Sequence, residues 1–311
     1  MKSNIPTIKK ITYSRIKDLL SKDKNSQVLW GYLFILPAVA FLAIFLLLPI
    51  FQIFYYSFTN WDGGFDSKFI GLQNYIDMFK SPDFWTVLKN NLIILLLGVP
   101  LWTIFPLLIA VLLYEEVKGY KIFKSVYFFP SVLSIVIVGT LFKTMFGYTG
   151  PINQILRSMG LENWAMEWLA NGITSLPIIV LSVNWAGFGS AILIYLAAMS
   201  VVNTSIYEAA ELDGVSWWQK IRYITLPLIK NVVQFTIILN IIHAFSQMFA
   251  YVLVMTNGGP GYESTVLEYF IYLKGFRAGD MGYASALSVV LFVLVLIVSL
   301  SQNLIINRKG E

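Results

Sequence analysis

Six long apolar blocks dominate the chain, near residues 30–56, 89–113, 124–145, 173–199, 230–256 and 282–306. Each is long enough to cross about 30 Å of hydrocarbon as a helix. None alternates apolar and polar positions as a barrel strand would, so the backbone of each block must satisfy its hydrogen bonds within a helix. The pattern predicts an all-α polytopic membrane protein with six transmembrane helices. Pro37, Pro49, Pro100, Pro106, Pro130 and Pro177 fall inside the blocks, and each removes a backbone donor and tends to kink its helix. Two readings fit them: kinks in a pathway that opens and closes, or ordinary membrane-helix prolines whose freed carbonyls find neighbours.

Composition agrees with the blocks. Hydrophobic residues make up 57% of the chain and charged residues 13%, against roughly one-quarter charged in a soluble domain. The absence of cysteine excludes disulfides, thiolate metal sites and a cysteine nucleophile, and the single histidine, His243, cannot make a zinc site alone.

The net charge of +5 raises nucleic acid as a partner, but membrane topology explains the basic residues better, and no nucleic acid is expected. Lys2, Lys9, Lys10, Arg15, Lys17, Lys22 and Lys24 precede the first block, and Lys118, Lys121, Lys124, Lys220, Arg222, Lys230, Arg308 and Lys309 fall on the same side of six spans. The other side holds Lys68, Lys80, Lys89, Lys143, Arg157, Lys274 and Arg277, a smaller set. The positive-inside rule therefore predicts both termini in the cytoplasm. Residues 1–29 read as a retained cytoplasmic basic tail and 30–311 as the membrane domain. Ile8, Ile11, Ile16, Leu19 and Leu20 suit either a stripe on the lipid headgroups or a simply solvated tail. Trp61, the Gly63-Gly64 turn and the aromatics of 163–168 suit an interfacial belt.

Between the fourth and fifth blocks, residues 203–229 carry helix signals unlike those of the spans. Ser205 and Glu208 have capping-box spacing, Ala209, Ala210, Glu211 and Leu212 favour helix, and Gly214 sits where a left-handed cap would end it. Ser216 and Gln219 repeat the box ahead of an amphipathic run that ends at Leu226-Pro227. Two short helices meeting at a glycine corner are predicted, with Glu208, Glu211 and Asp213 presented to the cytoplasm.

Glu208-Ala209-Ala210, Gly214, and then Ile224, Leu226 and Pro227 resemble the EAA loop of binding-protein-dependent ABC importer permeases. Well-capped helices on an inner membrane face are the plainer alternative. The resemblance implies that Glu208, Ala209, Ala210, Asp213, Gly214, Ile224, Leu226 and Pro227 engage a separate ATPase, with the importer core over about residues 86–306. Leu36-Pro37, Phe58-Thr59-Asn60-Trp61, Gly71-Leu72-Gln73-Asn74-Tyr75 and Thr256-Asn257-Gly258-Gly259-Pro260-Gly261 are similar to segments of carbohydrate permeases of the maltose and glycerol-3-phosphate type. Asn257 stands where glycine is frequent in that branch, and Asn231 where a second proline is often found.

No Gly-Lys pair exists anywhere, so the chain has no phosphate loop of the G-x-x-x-x-G-K-[ST] form and is not itself expected to be an enzyme. The resemblance implies that ATP and Mg are bound by partner ATPase subunits and that this chain binds no cofactor. It further implies a homologous second permease, two ATP-binding subunits, an extracytoplasmic solute-binding protein, a sugar as cargo and a prokaryotic cytoplasmic membrane around the complex.

Polar residues inside spans are candidates for lining a path, because burying them unpaired in lipid is costly. Asn240, His243 and Gln247 fall at i, i+3 and i+7 in the fifth block, and Asn184 with Trp185 offers an amide and an aromatic face in the fourth. They suit sugar hydroxyls, or equally the hydrogen bonds that hold membrane helices together. An ion-coupled secondary transporter is the alternative function, and a membrane enzyme a further one. The spans show neither the charged residues nor the convergent acid, base or metal set that these would need.

Overall fold

The computed structural model describes residues 28–114 and 120–307, so the predicted tail lies outside the described residues except at its last two positions. The chain divides into two compact units, one ending at Tyr55 and the other beginning at Tyr56. Among the described residues, four helices are long and apolar enough to cross a membrane: Val28–Tyr56, Pro82–Tyr114, Gly172–Ser200 and Met281–Ser301. The number is six if each of two sharply bent pairs is one span.

The first unit contributes most of α1 (Val28–Tyr56), which exposes apolar residues all round. Its wide π turn (Ala43–Leu47) stands just before Pro49. Proline cannot donate to the carbonyl four residues back and its ring crowds that group, so a widened turn relieves the clash without breaking the helix.

In the second unit the elements are α2 (Gln73–Lys80), α3 (Pro82–Tyr114), α4 (Tyr120–Phe128), α5 (Ile135–Met145), α6 (Pro151–Ser158) and α7 (Gly172–Ser200). They continue as α8 (Thr204–Leu212), α9 (Trp217–Leu228), α10 (Lys230–Ser246), α11 (Phe249–Met255), α12 (Leu267–Tyr272) and α13 (Met281–Asn307). The long helices α3 and α7 pack side by side. Ile94 and Trp102 of α3 meet Ile179 and Val183 of α7, with Phe142 of α5 and Tyr251 of α11 completing that core. Further along the same pair, Leu107 and Val111 pack with Ile192, Tyr195 and Met199, and Ile221 and Ile229 close the end. A third cluster joins Met78 and Phe84 to Phe270, Tyr283 and Leu287. Gly189 lets α7 approach the end of α4, where a Cβ would collide with the main chain of Tyr127 and Phe128.

Two predicted continuous spans are interrupted. In 124–145, Ser125–Val132 and Ile135–Met145 meet at 106°. Pro130 sits in a 3-10 turn (Phe129–Val132), Leu133 is extended, and Ser134 caps α5 by accepting from the Ile137 N–H. In 230–256, α10 ends at Ser246 and α11 begins at Phe249, with Gln247 at φ −140° between them. A two-residue interruption hardly changes a hydropathy pattern, which is why both blocks read as unbroken.

Candidate functional site

The loop 203–229 forms the predicted corner, with one changed cap. Ser205 and Glu208 do not make a box; Asn203 is the N-cap of α8, its Oδ1 accepting from the Ser205 N–H at 3.1 Å. Asparagine is as good a cap as serine, and its position two residues before Ser205 starts the helix at Thr204. At the other end Gly214 has φ +70°. Its N–H donates to Glu211 O at 3.1 Å and the Val215 N–H to Ala210 O at 3.1 Å, the paired closure of a Schellman motif.

The second box is present: the Ser216 N–H donates to Gln219 Oε1 at 2.9 Å. The helix then runs past the predicted end at Pro227. A π turn (Lys220–Thr225) precedes the proline, α9 ends at Leu228, and an 80° bend at Ile229 leads into α10. The widened turn is the same accommodation as before Pro49.

Glu208, Ala209, Asp213, Gly214 and Pro227 are exposed, Ile224 and Leu226 are half-buried, and Ala210 is buried. Leu212 is 90% exposed, with Trp218 and Tyr223 also exposed on the same loop. None of these three was named from the sequence as a residue that engages the ATPase; Leu212 counted there only as a helix former. Lys220 Nζ meets Glu211 Oε1 at 3.0 Å and so joins the two helices across the corner.

A cavity of about 490 Å³ opens between α3, the chain after α4, α7, α10 and α11. It brings together Asn184, Asn240 and His243 and adds Ser131, Thr236 and Tyr251. Asn240 Nδ2 donates to Thr103 Oγ1 of α3 at 3.0 Å, so this amide does join helices. The His243 ring lies 5.5 Å from that of Trp102. Three buried polar atoms in the wall have no partner: Ser131 Oγ, Asn184 Oδ1 and His243 Nε2.

Trp185 and Gln247 do not belong to this wall. Trp185 turns to the apolar core and packs 5.8 Å from Phe142. Gln247 is exposed, because α10 ends before it and the i+7 position leaves the helical register that the sequence spacing assumed.

The segment after α11 is tied back by Ser264 and Thr265, which follow the glycine-rich run in the carbohydrate-permease resemblance, and by Asn90 and Glu268, which were not singled out from the sequence. Asn90 Nδ2 donates to Tyr262 O and Thr265 O, each at 2.8 Å. Thr265 Oγ1 and Ser264 Oγ donate to Gly258 O and Gly259 O at 2.9 and 2.6 Å. Asn257 adopts φ +51°, which asparagine tolerates better than most residues other than glycine. Glu268, half-buried on α12, accepts from the N–H groups of Met248 and Phe249. Burial pushes its carboxyl above the usual carboxylate range, and the two backbone donors pull it partway back. A lone acid in the run Val-Leu-Glu-Tyr-Phe was the available signal.

Residues 75–310 match the family described as binding-protein-dependent transport system inner membrane component. The chain belongs to this family. As a permease it is 34% identical to the arabinooligosaccharides transport system permease protein AraP of Bacillus subtilis, over 90% of both chains. It is 32% identical to the lactose transport system permease protein LacF of Rhizobium radiobacter, over 88% of this chain and 92% of that one. A solved structure of a bacterial alginate ABC transporter, in complex with an alginate pentasaccharide-bound periplasmic protein, contains a chain that superimposes on this permease with a TM-score of 0.80. That match has 27% identity and covers 94% of this chain and 98% of the other.

Proposed function

We propose that this permease forms half of the translocation path for a sugar or oligosaccharide in an ABC importer and is driven by separate ATPase subunits through the loop 203–229. Three buried polar atoms without partners, Ser131 Oγ, Asn184 Oδ1 and His243 Nε2, converge on one cavity, and this observation carries the reading. Such groups are expensive to bury unpaired, and a ligand rich in hydroxyl groups would satisfy them. The transport names of the lactose and arabinooligosaccharide relatives support the same cargo class.

The chain crosses a prokaryotic cytoplasmic membrane six times with both termini inside, as the basic residues favour. The loop corner then faces the cytoplasm. Exposed Glu208 and Asp213 beside the apolar Leu212 and Trp218 offer a partner both charge and an anchoring surface. A second, homologous permease completes the path, two ATP-binding subunits hold ATP and Mg, and a solute-binding protein delivers cargo from outside. The chain itself binds no cofactor and catalyses no reaction.

The test is co-purification in detergent with the ATPase subunits and second permease, reconstitution, and measurement of ATP hydrolysis with sugar-loaded binding protein added. Stimulated hydrolysis together with sugar uptake is expected. Recovery of this chain alone, active in proton-driven uptake, would overturn the reading in favour of an ion-coupled carrier.

A further inference from the structure

The interruption between α10 and α11 borders the cavity, whose wall includes His243 shortly before it and Tyr251 shortly after it. A helix broken in an apolar environment frees main-chain donors and acceptors that must find other partners. Two side chains from distant parts of the chain supply them. Glu268 Oε2 accepts from the N–H of Met248 at 2.7 Å and of Phe249 at 2.9 Å, at the start of α11. Asn91 Nδ2 donates to Ala244 O in the last turn of α10 at 3.2 Å, while Asn91 Oδ1 accepts from the Leu267 N–H at 2.8 Å. Asn91 thereby ties the end of α10 to the residue next to Glu268. Glu268 takes two bonds at 2.7 and 2.9 Å where Asn91 makes one to α10 at 3.2 Å, so the carboxyl group grips α11 more firmly than the amide grips α10.

We propose that Glu268 is a positioning residue for translocation: its carboxylate fixes the start of α11 against the end of α10, and so sets how Tyr251 and His243 border the path. The proposal rests on the cavity being the cargo path as proposed above. Glu268 touches no cargo itself and acts only through the main chain of Met248 and Phe249.

The test uses the full importer, assembled with its ATPase subunits, second permease and binding protein, carrying Glu268→Ala or the near-isosteric Glu268→Gln. Two quantities are measured: amide hydrogen exchange across residues 246–251, and sugar moved per ATP hydrolysed. In E268A, exchange at Met248 and Phe249 should rise at least about tenfold while the cores of α3 and α7 stay protected. Sugar moved per ATP should fall by about tenfold in E268A and less in E268Q, which keeps one carbonyl acceptor. Unchanged exchange in E268A overturns the proposal, as does raised exchange with unaltered sugar per ATP, which would make the contact merely structural. If E268A fails to assemble, E268Q decides, and its matching the unaltered importer in both measurements also overturns the proposal. Lack of sugar uptake by the unaltered importer would instead sink the cargo-path reading, and the exchange measurement separates the two failures.

Discussion

Asn184 and Asn240 are both amides in the cavity wall, yet their circumstances differ. Asn240 donates to Thr103 and so contributes to helix association, while the Asn184 carbonyl oxygen is buried with no partner. Removing an unsatisfied acceptor relieves a desolvation penalty, so Asn184→Ala should leave thermal stability in detergent unchanged or raised while lowering sugar uptake by roughly three- to tenfold. Asn240→Ala should instead lower stability by about 0.6 kcal/mol, the typical worth of such a bond between membrane helices. Gln247→Ala, at an exposed position past the end of α10, should leave uptake unaltered. Parallel melting and uptake measurements on the three variants would check this ordering, and a transport defect confined to Gln247→Ala would contradict the placement of the path.

The loop 203–229 is the element whose form depends most on a few local groups. Gly214 at φ +70° closes α8, and a β-branched side chain there would be strained by about 1–2 kcal/mol. Gly214→Val should therefore leave membrane insertion intact and reduce sugar moved per ATP, read from parallel uptake and hydrolysis assays. Normal coupling in that variant would mean that the corner does not carry the ATPase contact. The Glu211 and Lys220 pair spans the same corner, with Glu211 66% exposed on its side chain, so its direct worth is under about 1 kcal/mol. Glu211→Lys and Lys220→Glu should each impair coupling modestly, and the double exchange should restore it. A double exchange no better than either single variant would show that the pair has no role in the corner. The π turns before Pro49 and Pro227 show the same response of a helix to a proline it contains.

At the scale of the whole molecule, the packing of α3 along α7 organises the second unit, and the broken elements α4–α5 and α10–α11 are arranged on that pair. This places the polar wall of the cavity on several elements at once, so its composition depends on their mutual positions. The proposed topology is testable directly because the chain has no cysteine. Single variants Ser216→Cys and Asp66→Cys, both at exposed positions, should be labelled by a membrane-impermeant thiol reagent from opposite sides, Asp66→Cys from outside intact cells. Labelling of both from one side would refute the six-span arrangement.

The sequence alone determined what rests on local chemistry and on the mean polarity of long segments. The helical class, the apolar blocks, the left-handed corner at Gly214 and the Ser216 box could all be read because their causes lie within a few residues of one another. Even there Asn203 displaced Ser205 as the cap, a choice between two adequate neighbours that depends on where the end of α7 leaves the chain. Only the tertiary structure decided where the spans break and which polar side chains meet. The donors freed at Met248 and Phe249 find their acceptor about twenty residues on, at Glu268, and Ala244 O finds its donor at Asn91, in a different apolar block. No periodicity records such pairings, because Glu268 and Asn91 each look locally like an isolated polar residue until the packing of α3, α10, α11 and α12 brings them to their main-chain partners.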